Sequence, residues 1–266
     1  MTLNLHFGSL AFTTYGSPEN PSITFIHGFP FNRSMWDEQC ELLSKDHFVI
    51  AYDVRGHGES SVGSGQYLIE MFVDDLLSLL DHLNVRKTTV CGLSMGGYIA
   101  QRAVDRAPDR FSGLILCDTK SAADTNAAKL NRANQIKMIL EGSKAKFVDD
   151  MVHVLFAPVS FEKNKNGVEK IKKIMSSTDE RALIGTLIAL AARMDMTDSL
   201  SNIKMPTLIL VGDQDKLTTV ADARLMQSRI SGSEVRIIRE SGHVSNIENR
   251  AEFNNAILEF LEKNRL

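Results

Sequence analysis

Apolar and polar positions recur along this chain with two different periods. Leu3-Asn4-Leu5-His6-Phe7 and Leu10-Ala11-Phe12-Thr13-Thr14-Tyr15 alternate with a period of two, and Gly8-Ser9 between them predicts a hairpin with a tight turn. After the turn cluster Gly16 to Pro21, Ser22 to Ile26 reads as a strand. Met35 to Leu43 has helical spacing, with Trp36, Leu42 and Leu43 on its inner face. Phe48 to Tyr52 is again a strand. Tyr67 to Leu83 predicts a long amphipathic helix with Phe72, Leu76, Leu79, Leu80 and Leu83 as its apolar stripe. The β-branched run Thr88-Thr89-Val90 predicts a buried strand, Tyr98 to Val104 a helix and Leu114 to Cys117 a further strand. Such alternation implies a mainly parallel sheet with helices on both faces.

The regularity breaks at about Lys120. From there to Ser201 only helical spacing is found. Four helices are predicted, at Ala127 to Leu140, Ser143 to Phe156, Phe161 to Ser176 and Asp179 to Ala191, with Asn164-Lys165-Asn166-Gly167 able to interrupt the third near its start. An all-helical block between two strands of one sheet is expected to cover the carboxyl edge, where ligands of such sheets bind. Residues 120–201 are therefore expected to form a cap over a core of residues 1–119 and 202–266. The cap methionines Met138, Met151, Met175, Met194 and Met196 are candidates for an adaptable apolar pocket, Met138 and Met151 foremost, although packing between helices explains any one of them equally well. After Pro206 the alternation resumes, with strands at Thr207 to Val211 and Val235 to Ile238 and helices at Val220 to Ile230 and Arg250 to Glu262.

Composition narrows the function classes. The 266 residues are 43% hydrophobic and 24% charged, as in a soluble globular protein. The net charge of -3 and the pI near 6.2 leave no basic surplus for nucleic acid or an anionic membrane. Three cysteines argue against a disulfide framework, and Cys91 and Cys117 fall in predicted buried strands. The N-terminal ten residues lack the pattern of a signal peptide, and no apolar run is long enough to span a bilayer, so a cytoplasmic protein is expected.

The candidate chemistry lies where a strand meets a helix. Gly92-Leu93-Ser94-Met95-Gly96 is G-x-S-x-G between the predicted strand and helix, a turn tight enough to strain Ser94 and to require glycine on both sides. It lifts the Ser94 hydroxyl clear of the sheet and aims the Met95 amide and the helix N-terminus at one small volume. The His27-Gly28-Phe29-Pro30 loop leaves a central strand, so the Phe29 amide joins that of Met95 as a candidate oxyanion hole, and Phe29 is also placed beside the substrate. His27 is read as a loop-fixing residue rather than a base, and His57 in Asp53-Val54-Arg55-Gly56-His57-Gly58 likewise as structural. No Cys/His spacing would build a zinc site, and no metal or organic cofactor is expected.

With Gly212-Asp213-Gln214-Asp215 and Gly242-His243, these motifs make the chain resemble the α/β-hydrolase superfamily over nearly its whole length, and within it small bacterial carboxylesterases and 3-oxoadipate enol-lactonases. The resemblance implies an eight-stranded, mainly parallel sheet carrying a helical cap. It makes Ser94 the nucleophile, Asp215 the acid and His243 the base, with Asp213 a competitor for the acid role and Asp118 an outside candidate. The expected activity is hydrolysis of a small ester through an acyl-enzyme. Lactone hydrolysis, C–C bond hydrolysis, thioester cleavage and acyl transfer would use the same three groups. Epoxide opening and halide displacement are disfavoured, because those relatives carry aspartate at the elbow. A lactonase acting on a carboxylate-bearing substrate needs cationic anchors. Arg33, Arg132 and Arg193 are the candidates, set against the simpler reading of each as a surface charge or a structural ion pair. A binding protein that has lost catalysis would be expected to lack one of the three groups, and none is missing. The expected partner is a small ester or lactone, with no role for nucleic acid or membrane.

Overall fold

β-branched and aliphatic runs form the strands, and where they are buried on both faces the strands pair in parallel. A computed structural model describes residues 1–266. The strands are β1 (Thr2–Leu5), β2 (Gly8–Tyr15), β3 (Ser22–Ile26), β4 (Phe48–Tyr52), β5 (Thr88–Leu93), β6 (Phe111–Cys117), β7 (Thr207–Gly212) and β8 (Glu234–Ile238). They form one eight-stranded sheet in the order β1-β2-β4-β3-β5-β6-β7-β8. The β1–β2 and β2–β4 pairs are antiparallel and the other five parallel.

Helices α1 (Asp37–Leu43), α2 (Ile69–His82) and α3 (Met95–Arg106) connect the first strands. Between β6 and β7 come α4 (Asn126–Leu140), α5 (Lys144–Leu155), α6 (Ser160–Lys163), α7 (Lys165–Ser177) and α8 (Glu180–Ala192). The chain closes with α9 (Val220–Arg229), α10 (Ser245–Glu248) and α11 (Arg250–Asn264). No helix is long and apolar enough to cross a membrane. The three cysteines are buried and unpaired by disulfides.

Four local expectations change. Leu5 pairs with Gly8, so the hairpin turns at His6-Phe7 and Gly8-Ser9 already belong to β2. Phe7 leaves the strand and lies under the Arg55 guanidinium, 4.0 Å from ring centroid to Cζ. The helix expected from Tyr67 starts two residues later, because Leu68 is extended. The third insertion helix is two, divided at Asn164. That side chain accepts from Gly167 N–H at 3.1 Å, capping α7, and donates to Ile247 O at 2.7 Å. The short helix α10, directly after His243, has no apolar periodicity to announce it.

Candidate active site

The turn from β5 into α3 is set by backbone contacts. Ser94 has φ 53° and ψ -112°, outside the basins open to most side chains. A Cβ on Gly92 would sit 2.2 Å from Gly96 O, and one on Gly96 2.2 Å from Ile26 O. No side chain fits at either position, which is how the sequence enforces the turn. Ser94 N–H donates to Cys117 O at 2.9 Å, and the Thr119 hydroxyl donates to Ser94 O at 2.8 Å. Strain at Ser94 is thus held in place by β6 next door.

The loop after β3 brings Phe29 to the same place. His27 fixes that loop. Its Nδ1 donates to Gly28 O at 2.8 Å while Nε2 accepts from Val54 N–H at 2.9 Å, and burial lowers its pKa to about 4. His57 is also fully buried, and burial together with neighbouring His27 lowers it to about 3. Both rings are neutral at physiological pH and neither lines the cavity below Ser94. The Phe29 amide and the Met95 amide, the first of α3, donate to no acceptor within the protein.

Asp215 follows β7 and His243 follows β8. His243 Nδ1 donates to Asp215 Oδ2 at 2.8 Å. Asp215 is further held by the Thr218 hydroxyl on Oδ2 at 2.6 Å and by the Leu217 and Thr218 amides on Oδ1 at 2.8 and 3.1 Å. Burial alone would raise the Asp215 pKa, but the His243 imidazole and these donors outweigh it and hold it below the usual carboxylate value. Burial alone would likewise depress His243, yet the Asp215 charge wins and its pKa is raised. Asp213 accepts from Ser241 N–H at 3.1 Å and does not bond the imidazole. Asp118 also lacks that bond and instead accepts from Gly212 and Ser245.

Ser94, His243 and Phe29 line one cavity of about 260 Å³, whose wall is completed by the insertion. His243 Nε2 and Ser94 Oγ each carry no hydrogen bond to the protein, and none joins them directly. Roomier surface clefts of about 600 and 670 Å³ contain none of these groups, so size alone does not locate the chemistry.

Of the five insertion methionines only Met151 lines the cavity. Met138, expected beside the substrate, packs against the hydrophobic core instead. Of the three arginines only Arg132 lines it, with Nε bonded to buried Asp124 at 2.5 Å. Arg193 lies behind, 3.9 Å over the Tyr98 ring and 3.1 Å from the other Asp124 oxygen. Arg33 pairs with Asp53 and Glu59 elsewhere. Lys120 and Lys216 also line the cavity, and neither was singled out in the sequence.

Glu248 was missed altogether. Its Oε1 accepts from the Gly242 and Val244 amides at 2.8 and 3.4 Å, on either side of His243. Its Oε2 accepts from Ala157 N–H and the Ser160 hydroxyl, both at 2.7 Å, in the insertion. His243 N–H itself donates to Leu155 O at 2.7 Å. No local motif marks such a strap, because its partners lie far apart in sequence.

A family model described as the alpha/beta hydrolase fold matches residues 21–155. A 3-oxoadipate enol-lactonase of Acinetobacter baylyi is 32% identical over 96% of this chain and 94% of its own length. Among solved structures, a thermophilic esterase from Thermogutta terrifontis, described with malate bound, is 32% identical with a TM-score of 0.94, covering 100% of this chain and 99% of its own. An enol-lactonase from Burkholderia xenovorans is 27% identical with a TM-score of 0.92, covering 98% and 100%. By sequence and by fold, the chain belongs to the α/β-hydrolase family.

Proposed function

We propose that this hydrolase is a serine esterase or lactonase acting on a small substrate through an acyl-enzyme. The observation that carries the reading is the 2.8 Å bond from buried Asp215 to His243, whose ring lines the same cavity as Ser94 on its strained turn. Ser94 Oγ attacks the carbonyl carbon as its proton passes to His243 Nε2, the ring nitrogen that Asp215 leaves free. Asp215 fixes the tautomer and stabilises the imidazolium. The two unengaged amides, Phe29 and Met95, receive the oxyanion, each such donor contributing about 3 kcal/mol of transition-state stabilisation. His243 then returns the proton to the leaving oxygen, and a water that it activates releases the acid. Residues 120–201 act as the cap that shapes the acyl and alcohol pockets.

A second reading, a lactone or ester that carries a carboxylate, is favoured by the cations at the cavity wall. Arg132, Lys120 and Lys216 line it, and Asp124, the one acidic side chain beside them, is already bound by Arg132 and Arg193. The 3-oxoadipate enol-lactonase relatives and the malate-bound esterase are in keeping with this.

The test is hydrolysis of short-chain p-nitrophenyl esters, neutral and carboxylate-bearing, by wild type and Ser94→Ala. The expected loss in the variant is about 10³-fold or more. Equal rates would overturn the assignment of Ser94 and leave a binding role.

A further inference from the structure

Asp118 directly follows β6, is fully buried and has φ 44°, a region that aspartate enters more readily than most residues. It takes no part in the proton transfers above, yet both its oxygens are engaged. Oδ1 accepts from Gly212 N–H at 2.8 Å, three residues before Asp215. Oδ2 accepts from the Ser245 hydroxyl at 2.5 Å and from Ser245 N–H at 3.4 Å, two residues after His243. Its own N–H donates to Leu210 O at 2.8 Å, and the carbonyl just before it, Cys117 O, receives Ser94 N–H. One residue therefore joins the strand that holds the serine turn to the two loops that carry the acid and the imidazole.

We propose that Asp118 is a positioning residue that locks the His243 loop to the Asp215 loop at the spacing proton transfer requires. This rests on reading Ser94, Asp215 and His243 as the reacting groups. Misplacement of such groups by about 1 Å costs roughly 10²-fold in rate. The charged or titratable groups facing Asp118 are Asp215 and His243 on the two loops and Cys117 on its own strand. Burial, reinforced by the Asp215 charge, raises the Asp118 carboxyl to about 8; in the protonated form the Oδ2–H donates to the Ser245 hydroxyl, reversing that bond, while Oδ1 still accepts from Gly212 N–H. Asparagine is then its near-isostere, accepting from Gly212 and offering its amide to the Ser245 hydroxyl. Alanine can do neither.

Steady-state kinetics at pH 7 on one ester, with Asp118→Ala, Asp118→Asn, Ser245→Ala and the Asp118→Ala/Ser245→Ala double variant, test this. Asp118→Ala should lower kcat by about 10- to 100-fold with KM within about threefold, and Asp118→Asn should restore most of the loss. Ser245→Ala should lose about three- to tenfold, and the double variant should be no worse than Asp118→Ala alone. Wild-type kcat in Asp118→Ala, a loss confined to KM, or equal damage in the asparagine and alanine variants would overturn the proposal. Should Asp118→Ala fail to fold, wild-type kcat in Ser245→Ala overturns it instead. An active Ser94→Ala sinks the underlying reading, whereas an inactive Ser94→Ala beside an unimpaired Asp118→Ala sinks this proposal alone.

Discussion

The carboxyl edge of the sheet and the helical insertion above it are held by different kinds of contact. At the edge, backbone meets backbone: Gly92 against Gly96, Gly96 against Ile26, Ser94 N–H on Cys117 O. In the insertion, α4 contributes a single buried residue, Ile139, and the cavity wall mixes Met151 and Leu190 with polar side chains set by ion pairs such as Arg132–Asp124. At the serine turn no side chain can be added at Gly92 or Gly96 without moving the main chain, whereas the cavity-lining positions of the insertion carry side chains that can be exchanged. On the proposed reading, reaction type then resides in the rigid turn and selectivity in the exchangeable side chains above it.

Glycine substitutions put that contrast at greatest stake. Gly96→Ala places a methyl 2.2 Å from Ile26 O, a backbone atom that no rotamer change relieves. Loss of soluble active enzyme is expected, read by expression and by ester turnover. Gly142→Ala, at φ 78° after α4 with no atom within 4 Å, should cost only about 1–2 kcal/mol and leave turnover intact. Comparable damage from the two would break the distinction.

The acid–imidazole pair comes next. Only neutral imidazole accepts the Ser94 proton, so kcat/KM falls as pH drops through the His243 pKa. Because the Asp215 charge outweighs burial and raises that pKa, the acidic limb should lie above the ordinary histidine value of about 6.5. Asp215→Asn removes the charge, moves the limb down and should lower the rate by about 10³- to 10⁴-fold. A limb that does not move would point to another acid.

What the sequence made readable follows the same division. Sheet, nucleophile turn and fixed histidines follow from local demands, a strand period, a glycine pair, an imidazole beside a loop glycine. Asp118 was visible as an acid at a strand end, but its true partners, Gly212 and Ser245, lie 94 and 127 residues away. Glu248 left no trace, since a carboxylate that caps four donors from two distant segments has no periodicity. Met138 and Met151 were indistinguishable, because helical spacing does not say which neighbour a helix faces. The hairpin moved by two residues because pairing register, set by closure of the turn, overrode the glycine.

Glu248 joins the two regions, so its removal should have an intermediate effect. Glu248→Ala frees the Gly242 and Val244 amides around His243 and cuts the loop from Ala157 and Ser160. A loss of about tenfold in kcat is expected, with the acidic limb moving down by less than in Asp215→Asn, because the Glu248 charge also raises His243 but ranks below that of Asp215. Thermal melting should fall by several degrees, since buried donors lose their acceptor. An unaltered kcat would mean that the imidazole loop holds its place without the insertion.

The smallest effect should separate two methionines. Both are partly buried on neighbouring helices and both pack against the core, but only Met151 also lines the cavity. Met151→Ala widens the pocket, so KM for short acyl chains should rise about three- to tenfold while longer chains are favoured, beside a loss of about 1–3 kcal/mol of stability from its core contacts. Met138→Ala should lose a similar amount of stability, about 1–3 kcal/mol, without altering chain-length preference. If both variants shift the preference alike, the insertion transmits packing changes to the substrate as rigidly as the sheet edge does, and selectivity would no longer reside in single exchangeable side chains.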